Sequence, residues 1–432
     1  MRCTHWLLGA PLLLAACSDE AAPAPAPAGP RARTNIQHVV VVWQENHTFD
    51  NYFGRYCTAA PGSNPACTEG PACCEAAPAR EASGAAPIAL DDASNARRDP
   101  DHSRACESQQ VNGGAMDRFV AGAAVPGCSD PGNFAVAAPE AVAAYHAFAR
   151  EGALADRYFQ PEVGSTSAND MHLAVARHVF DDNTVAPEAD HAECNSLSPR
   201  MRLTGRTVAD VVLDAGFTFA TYIEGYAAAR ASLPDCAQAP DECPAHRNIY
   251  PCTYDPSDIP FAYYGRFADN PTYMRDHGQL ARDVAAGALP HVSYVKAIGY
   301  RTEHPGYGTT IGDGMRFVSS LVSLIRGSRY ANDTLILLTW DEGGGYYDHV
   351  APPGRSAVDM QEYGTRVPLV AIGRFARRNR VSHVTMEHAS IVKFIEFNYT
   401  GATGQLGARD ASAANLGSLL DPAATGTAVP ER

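Results

Sequence analysis

The sequence predicts an α/β fold, a doubly wound α/β/α sandwich with a mostly parallel central sheet and disulfide-stapled loop insertions. Two apolar runs, residues 39–43 and 334–340, have the length and composition of strands that are buried on both faces. Helical apolar stripes alternate with further strand-like runs along the chain, which is typical of βαβ units. Cysteines concentrate in Gly/Pro/Ala-rich segments between these runs, where they would staple long loops.

The predicted elements follow one another in helix and strand order. Hydrophobic spacing predicts helices over residues 139–156, 171–179 (starting near Thr166), 207–215, 274–286, 317–325 and 387–397. Besides the two apolar runs, strands are predicted over residues 217–223, 291–295 and 366–372. The helix over 317–325 leads directly into the strand over 334–340, so these two form one unit of the sandwich.

The N-terminus predicts export and membrane attachment. Residues 1–17 carry one arginine, an apolar stretch and then Leu-Ala-Ala-Cys, as in a lipoprotein-type signal peptide whose Cys17 is lipidated. An ordinary signal peptide cleaved nearby is the alternative. Residues 18–34 form an Ala/Pro-rich tether, 35–422 the folded domain, and 423–432 a disordered tail. We therefore expect a protein of the cell envelope, anchored by lipid on the periplasmic side or at the cell surface.

Charge and cysteine content limit the partners and the compartment. The formal net charge of −14 argues against a nucleic-acid partner, because phosphate backbones are bound by basic surfaces. Cys3 and Cys17 lie in the leader, and the other ten of the 12 cysteines all precede residue 260. An even number in an exported chain predicts up to five disulfides, and no Cys-x-x-Cys pair favours zinc instead. The pairing and the oligomeric state stay open.

Two predicted strands end in oxygen-bearing side chains. Glu45 and Asn46 follow the first strand, and Asp341 and Glu342 follow the strand over 334–340, with three glycines behind them. In open α/β sheets ligands bind beyond the carboxyl ends of the strands. Carboxylate and carboxamide oxygens there predict a shared divalent cation site, since carboxylates packed together would otherwise repel. The alternatives are a polar strand-to-loop junction and a surface turn.

Six separated blocks share the order and spacing of one known family. They are residues 44–50, 112–117, 164–169, 303–305, 340–350 and 387–390. Through them the chain resembles the phosphoesterase family of bacterial phospholipases C and acid phosphatases, within the wider alkaline-phosphatase-like group. The resemblance covers nearly the whole chain after the leader, and it implies the same α/β fold.

The resemblance also implies a nucleophile. The family carries a nucleophilic Thr or Ser three residues before an Asn, and Thr166 has that spacing to Asn169. Asp170 stands where Arg is common, which leaves the phosphate contacts of that arginine without a counterpart. A hydroxyl at a helix N-terminus benefits from the helix dipole, although it can equally be a simple cap. Ser165 and Ser167 remain alternative nucleophiles.

For function, the resemblance implies a metal-dependent hydrolase that acts on phosphate ester bonds through a covalent phosphothreonine. It implies catalytic roles for Thr166, Asn169, His102, His304 and His349, with the histidines contacting the phosphate and the leaving oxygen. The expected cofactor is a divalent cation, Ca, Mg or Mn, held by Glu45, Asn46, Asp341, Glu342 and the Thr166 hydroxyl.

The substrate class stays open at this level. A phosphate monoester and a phospholipid both fit the family. A sulfatase-like esterase is disfavoured, because no Cys/Ser-x-Pro/Ala-x-Arg block occurs at the nucleophile. A catalytically inactive cell-surface binding protein on the same scaffold is the alternative from another class, and the retained acids, threonine and histidines argue against it.

Overall fold

A computed structural model describes residues 30–195 and 197–432 of the chain. The described part contains the strands β1 His38–Gln44, β2 Ile88–Leu90, β3 Ala135–Ala137, β4 Ala153–Ala155, β5 Tyr158–Phe159, β6 Ala186–Pro187, β7 Arg200–Met201, β8 Phe219–Ile223, β9 Met274–Asp276, β10 Val292–Lys296, β11 Thr334–Trp340, β12 Leu369–Ile372, β13 Arg380–Ser382 and β14 Met386–Glu387.

The α-helices of the same residues are α1 Phe49–Phe53, α2 Asp92–Asn95, α3 Arg104–Val111, α4 Ala143–Glu151, α5 Thr166–Val175, α6 Val208–Asp214, α7 Tyr226–Ala231, α8 His277–Ala286, α9 Ile311–Arg326, α10 His388–Thr400 and α11 Pro422–Thr425. Helices α5, α6 and α10 pack against one another, and α4 packs against α9.

One sheet of eight strands organises the domain. Its order is β13-β4-β12-β11-β1-β10-β8-β9. Only β12 runs against its neighbours; all other pairs in this sheet are parallel. Every residue of β1 and β11 is buried, as expected for strands covered on both faces. The predicted fold class, α/β with a mostly parallel central sheet, is confirmed.

All ten cysteines of the domain form disulfides, as predicted. The pairs are Cys57–Cys74, Cys67–Cys73, Cys106–Cys128, Cys194–Cys236 and Cys243–Cys252. Each closes a local loop, the longest spanning 42 residues. Five disulfides are typical of a protein that folds outside the reducing cytoplasm. In the described part of the chain, no helix combines the length and the apolarity needed to cross a membrane.

The predicted ends of the domain need a correction. Residues 423–432 were expected to be disordered, yet Val429 is buried and the backbone N–H groups of Asn415 and Gly417 donate to carbonyls of Glu431 and Pro430. These bonds are made by main-chain atoms, so polar, low-complexity composition does not reveal them. The signal peptide 1–17, Cys17 and tether residues 18–29 lie outside the described residues.

The end of the predicted tether also packs on the domain. The backbone N–H of Arg33 donates to the carbonyl of Asn398 at 2.6 Å, and the Thr34 hydroxyl donates to the Asn398 side chain at 2.6 Å. Residues 33 and 34 therefore belong to the folded unit, because Asn398 on α10 supplies partners that composition does not show.

Candidate active site

The pairing of β1 with β11 brings together the residues of the cation site that was predicted at the strand ends. These strands are parallel neighbours with Gln44 opposite Trp340, so the next residues, Glu45 and Asp341, leave the sheet side by side. The backbone N–H of Asn46 donates to Asp341 Oδ1 at 2.9 Å. Asn46 has a φ of 67°, a left-handed conformation that Asn tolerates better than most residues. Glu45, Asn46, Asp341 and Glu342 are thus neighbours and are all buried.

Thr166 reaches this cluster from α5. It is the first residue of the helix and 2% exposed. Its hydroxyl donates to Asn46 Oδ1 at 3.3 Å. Because the N-terminal end of a helix carries partial positive charge, an oxyanion or phosphate beside Thr166 is favoured.

The turn that precedes Thr166 is stabilised by hydrogen bonds to two buried side chains, those of Asn169 and Glu107. Asn169 donates through Nδ2 to the carbonyls of Gly164 at 2.8 Å and Ser165 at 3.2 Å. Glu107 accepts from the backbone N–H of Gly164 at 2.6 Å, and burial raises the pKa of its carboxyl to about 8. Asn169 therefore supports the turn that carries Thr166, and these contacts occupy its side chain.

Two of the three predicted histidines lie at the cluster. His102 Nε2 lies 3.3 Å from Asn46 Nδ2 and 3.8 Å from Glu342 Oε1. The His102 and His304 rings lie 5.6 Å apart, and with Asp99 they offer ligand atoms within 4.8 Å of one another. Each ring places Nδ1 on a backbone carbonyl, at 2.8 Å for His102 and 2.7 Å for His304. This network assigns the proton to Nδ1 and leaves Nε2 available. Burial lowers the pKa of His304.

The third histidine is elsewhere. His349 Nδ1 lies 2.8 Å from Asp50 Oδ2, and His349 Nε2 lies 3.0 Å from Glu75 Oε2. It lines a different groove from Thr166, His102 and His304. Gly344 and Gly345, at φ 65° and 70°, turn the chain sharply after Glu342, which takes the subsequent residues away from the cluster. The structure therefore does not bring His349 to the site where the sequence prediction placed it.

The acidic oxygens fit a hard divalent cation. Asp341 Oδ2 and Glu342 Oε1 are buried and have no hydrogen-bond partner among the described residues. Burial raises the pKa of Asp341 to about 6, although Lys296 opposes the shift. Burial, and next the charge of Asp341, raises the pKa of Glu342. Unpaired buried carboxylates are costly unless a cation neutralises them, and oxygen donors suit Ca, Mg or Mn.

A cavity of about 520 Å³ opens above these residues. Glu45, Thr166, His102 and His304 line it, together with residues of the Cys/Pro-rich segment 236–260. Tyr250 of that segment donates to Glu45 Oε2 at 2.9 Å. Thr166 and Glu45 therefore line an accessible cleft.

Sequence reasoning missed Lys296, the last residue of β10. Its ammonium group lies 2.8 Å from Glu45 Oε1 and 3.4 Å from Asp170 Oδ2. The available signal was a lysine directly after the predicted strand over residues 291–295, since lysine is almost never fully buried unless it is paired.

Comparisons with known proteins find one matching family model and several similar proteins. The Phosphoesterase family model matches residues 36–400. Phospholipase C B of Mycobacterium tuberculosis is 26% identical over 441 residues, covering 90% of this chain and 78% of that protein. Non-specific phospholipase C3 of Arabidopsis thaliana is 24% identical over 357 residues, covering 75% of this chain and 58% of that protein. A solved protein of the alkaline phosphatase superfamily from Vibrio parahaemolyticus covers 62% of this chain and 63% of its own, at 12% identity and a TM-score of 0.34.

Proposed function

The chain belongs to the phosphoesterase family, and from this premise we propose that it is a phospholipase C-type hydrolase that cleaves phosphate ester bonds through a phosphothreonine on Thr166. The observation that carries the proposal is the Thr166 hydroxyl, 3.3 Å from Asn46 Oδ1 at the start of α5. That hydroxyl adjoins the buried cluster in which Asp341 Oδ2 and Glu342 Oε1 have no partner among the described residues. A threonine hydroxyl and Glu45 thus line one cleft at the N-terminus of α5, next to these buried acids.

The residues that would hold a divalent cation are Glu45, Asn46, Asp341, Glu342 and the Thr166 hydroxyl. When bound, the cation supplies positive charge that lowers the pKa of the Thr166 hydroxyl and offsets charge on the phosphate. A free threonine hydroxyl is a weak nucleophile, so this activation is needed. Asn169 is proposed as a positioning residue, because it holds the carbonyls of the turn before Thr166.

The reaction has two displacements at phosphorus. Thr166 Oγ1 forms a bond to phosphorus as His102 Nε2 takes the hydroxyl proton; the bond to the leaving alcohol oxygen breaks, and His102 Nε2 passes the proton to that oxygen. Water then attacks phosphorus, His102 Nε2 takes a proton from the water, the bond to Thr166 Oγ1 breaks, and His102 returns the proton to Thr166 Oγ1. The products are the alcohol, the phosphate or phosphoryl headgroup, and the free threonine. His304 shares the cleft and is proposed to contact the phosphate oxygens.

We propose a phospholipid as the substrate. Its support is the family relationship to phospholipases C and the composition of the cleft mouth. Ile249 and Tyr307 line the cleft and are 46% and 38% exposed, so they offer apolar surface beside the site. A lipid anchor at Cys17 would hold this opening near a membrane.

The anchor is tested by phase separation in Triton X-114. Wild-type protein is expected in the detergent phase, and a Cys17→Ser variant that still partitions into that phase would contradict the anchor.

The deciding experiment compares substrates with and without chelator. We expect release of diacylglycerol from phosphatidylcholine vesicles, slower turnover of p-nitrophenyl phosphate, and loss of both activities in EDTA with recovery on adding Ca, Mg or Mn. Turnover of p-nitrophenyl phosphate alone would make the enzyme a phosphatase. Equal activity in EDTA would contradict the cation, and no hydrolysis of any phosphate ester would favour a binding protein on this scaffold.

A further inference from the structure

Lys296 is a buried cation inside the acidic cluster. Its side chain is 2% exposed. Its ammonium group lies 2.8 Å from Glu45 Oε1, 3.4 Å from Asp170 Oδ2 and 5.2 Å from the ring centre of Trp43. Lysine is almost never buried this far without paired acids, and the ammonium here is bracketed by two of them.

These contacts fix Glu45 on both of its oxygens. Lys296 pairs with Oε1, and the hydroxyl of Tyr250 donates to Oε2 at 2.9 Å. Glu45 is one of the acids proposed to hold the cation, so its orientation determines how well the cation is bound. Removing a residue that orients a metal-binding side chain typically lowers metal affinity by ~10–100-fold.

Asp170 is on the same face of α5 as Thr166, because residues four apart in a helix lie above one another. It is buried, and its Oδ1 has no hydrogen-bond partner among the described residues. Its carboxylate adds negative charge to a cluster that already contains Glu45 and Asp341, so a cation from another element is needed to offset it. Lys296 brings that cation from the neighbouring strand β10.

We propose that Lys296 and Asp170 form a buried ion pair in which Lys296, extending from β10, supplies the positive charge that positions Glu45. The proposal rests on the proposed cation site at Glu45. Lys296 is a positioning residue: it acts on the cation and the substrate through Glu45. Asp170 in turn contacts the same ammonium group at 3.4 Å, so the two residues depend on each other.

The test is an exchange of the two charges, measured by cation binding. Purified full-length protein is stripped with chelator, and Mg, Ca and Mn affinity is measured by calorimetry, with bound metal counted by elemental analysis. We expect Lys296→Met to weaken cation binding by ~10–100-fold. Asp170→Arg alone places two cations side by side and should also weaken it. The double variant Asp170→Arg, Lys296→Met should return the affinity to within about threefold of wild type, since one buried cation again faces Glu45.

Lys393 offers a matched control. It is a buried lysine on α10 whose ammonium contacts the carbonyls of Ala411 and Ala413, away from the cluster. Lys393→Met should leave cation affinity unchanged. If Lys296→Met does not fold, Lys296→Gln takes its place, because it keeps a donor toward Glu45 while removing the charge; weakened binding is again expected.

Two results would overturn the proposal. One is unchanged cation affinity in folded Lys296→Met or Lys296→Gln; the other is a folded double variant that binds no better than the single variants. The rescue separates a positioning role from a merely structural one, because lost packing at Lys296 would not be repaired by an arginine at 170. Wild-type protein that binds the cation but hydrolyses no phosphate ester would contradict the proposed function while leaving the Lys296 proposal intact.

Discussion

The two loops that leave β1 and β11 each contribute acids to two buried clusters, and these clusters differ in how their charge is balanced. The first, which we call the strand-end cluster, contains Glu45, Asn46, Asp341 and Glu342. Asp341 Oδ2 and Glu342 Oε1 have no partner there among the described residues. Lys296 pairs with Glu45. Negative charge therefore remains in excess in this cluster.

The second, the arginine cluster, contains Asp50, Asp348, Arg366 and His349. Arg366 Nε lies 2.7 Å from Asp348 Oδ1, and Arg366 Nη2 lies 3.0 Å from Asp50 Oδ1. Asp50 Oδ2 accepts from the backbone of His349 at 2.9 Å, and Asp348 Oδ2 accepts from the backbone of Asp50 at 3.1 Å. Although Asp50, Asp348 and His349 lie close enough to share a metal, their acidic oxygens already have partners.

Whether the carboxylate oxygens already have partners distinguishes acids that stabilise the fold from acids that can bind a ligand. Both clusters are buried and both arise from the same pair of loops. Of these two, the strand-end cluster alone leaves carboxylate oxygens without a hydrogen-bond partner among the described residues, and it alone adjoins the Thr166 hydroxyl. The arginine cluster is complete without a ligand, so we assign it to stability. Substitutions in each cluster test this assignment.

The largest expected effect is at Thr166. Thr166→Ala removes the proposed nucleophile, so hydrolysis of p-nitrophenyl phosphate and of phosphatidylcholine should fall on the order of 10⁴-fold or more. Circular dichroism should show an unchanged fold, since the lost hydroxyl makes one side-chain hydrogen bond. Ser167→Ala is the matched control, because Ser167 is the next residue of the same helix and is equally buried. Equal losses in both variants would mean that the nucleophile is not Thr166.

The second prediction concerns the arginine cluster. Arg366→Met leaves Asp50 and Asp348 buried without their shared cation, so the free energy of unfolding in urea should fall by about 3–5 kcal/mol. Cation affinity of the folded fraction should not change. As a control, Arg316→Met removes an arginine that is 69% exposed and paired with Asp313, and should cost less than about 1 kcal/mol. An Arg366→Met protein of wild-type stability that binds less metal would reverse the assignment of the two clusters.

The third prediction is that removing the Asp341 charge does not destabilise the cation-free protein. Asp341→Asn keeps the Oδ1 acceptor for the backbone of Asn46 but removes one unpaired buried charge. In EDTA its thermal midpoint should equal or exceed that of wild type. With a cation at about 100 times its Kd, wild type should gain about 2.7 kcal/mol and Asp341→Asn should gain little.

Asp50→Asn is the matched variant of the other cluster. It disturbs contacts with Arg366 and His349, so it should lower stability equally with and without cation. A cation-induced gain as large in Asp341→Asn as in wild type would show that Asp341 is not a ligand.

The strands that carry the strand-end cluster, and the proximity of its acids, could be predicted from the sequence. Strands β1 and β11 were predictable because residues buried on both faces leave continuous apolar runs. The acids Glu45 and Asp341 could be placed together because parallel strands end at the same edge of a sheet. Their roles as cation ligands stay predictions.

Features that depend on turns and on pairing between distant segments could not be predicted. Residues 139–156 were predicted as one helix, but α4 ends at Glu151 and Ala153–Ala155 pairs with β12 as strand β4. Ala-Leu-Ala favours helix locally, and sheet pairing overrides that preference. His349 was misplaced because the turn at Gly344 and Gly345 sets its direction.

The smallest expected effect is a pH dependence in the arginine cluster. Burial alone would lower the pKa of His349, but the Asp50 carboxylate and its hydrogen bond raise it above the ordinary value, while Arg366 opposes and Asp348 adds to the rise. Glu75 also faces the ring. A raised pKa means that protonated His349 stabilises the fold fully below pH ~6.5, and that this contribution is lost as pH rises through the folded-state pKa.

The difference in urea midpoint between wild type and His349→Gln should therefore shrink between pH 6 and pH 8. His146→Gln is the control with the opposite sign: burial lowers the pKa of His146, so its contribution is present above pH ~6.5 and lost as pH falls. Because His349 lies outside the cleft, His349→Gln should keep the phosphate-ester activity of wild type at pH 6. A loss of activity as deep as that of Thr166→Ala in a folded His349→Gln protein would return this histidine to the catalytic site and remove the distinction between the two clusters.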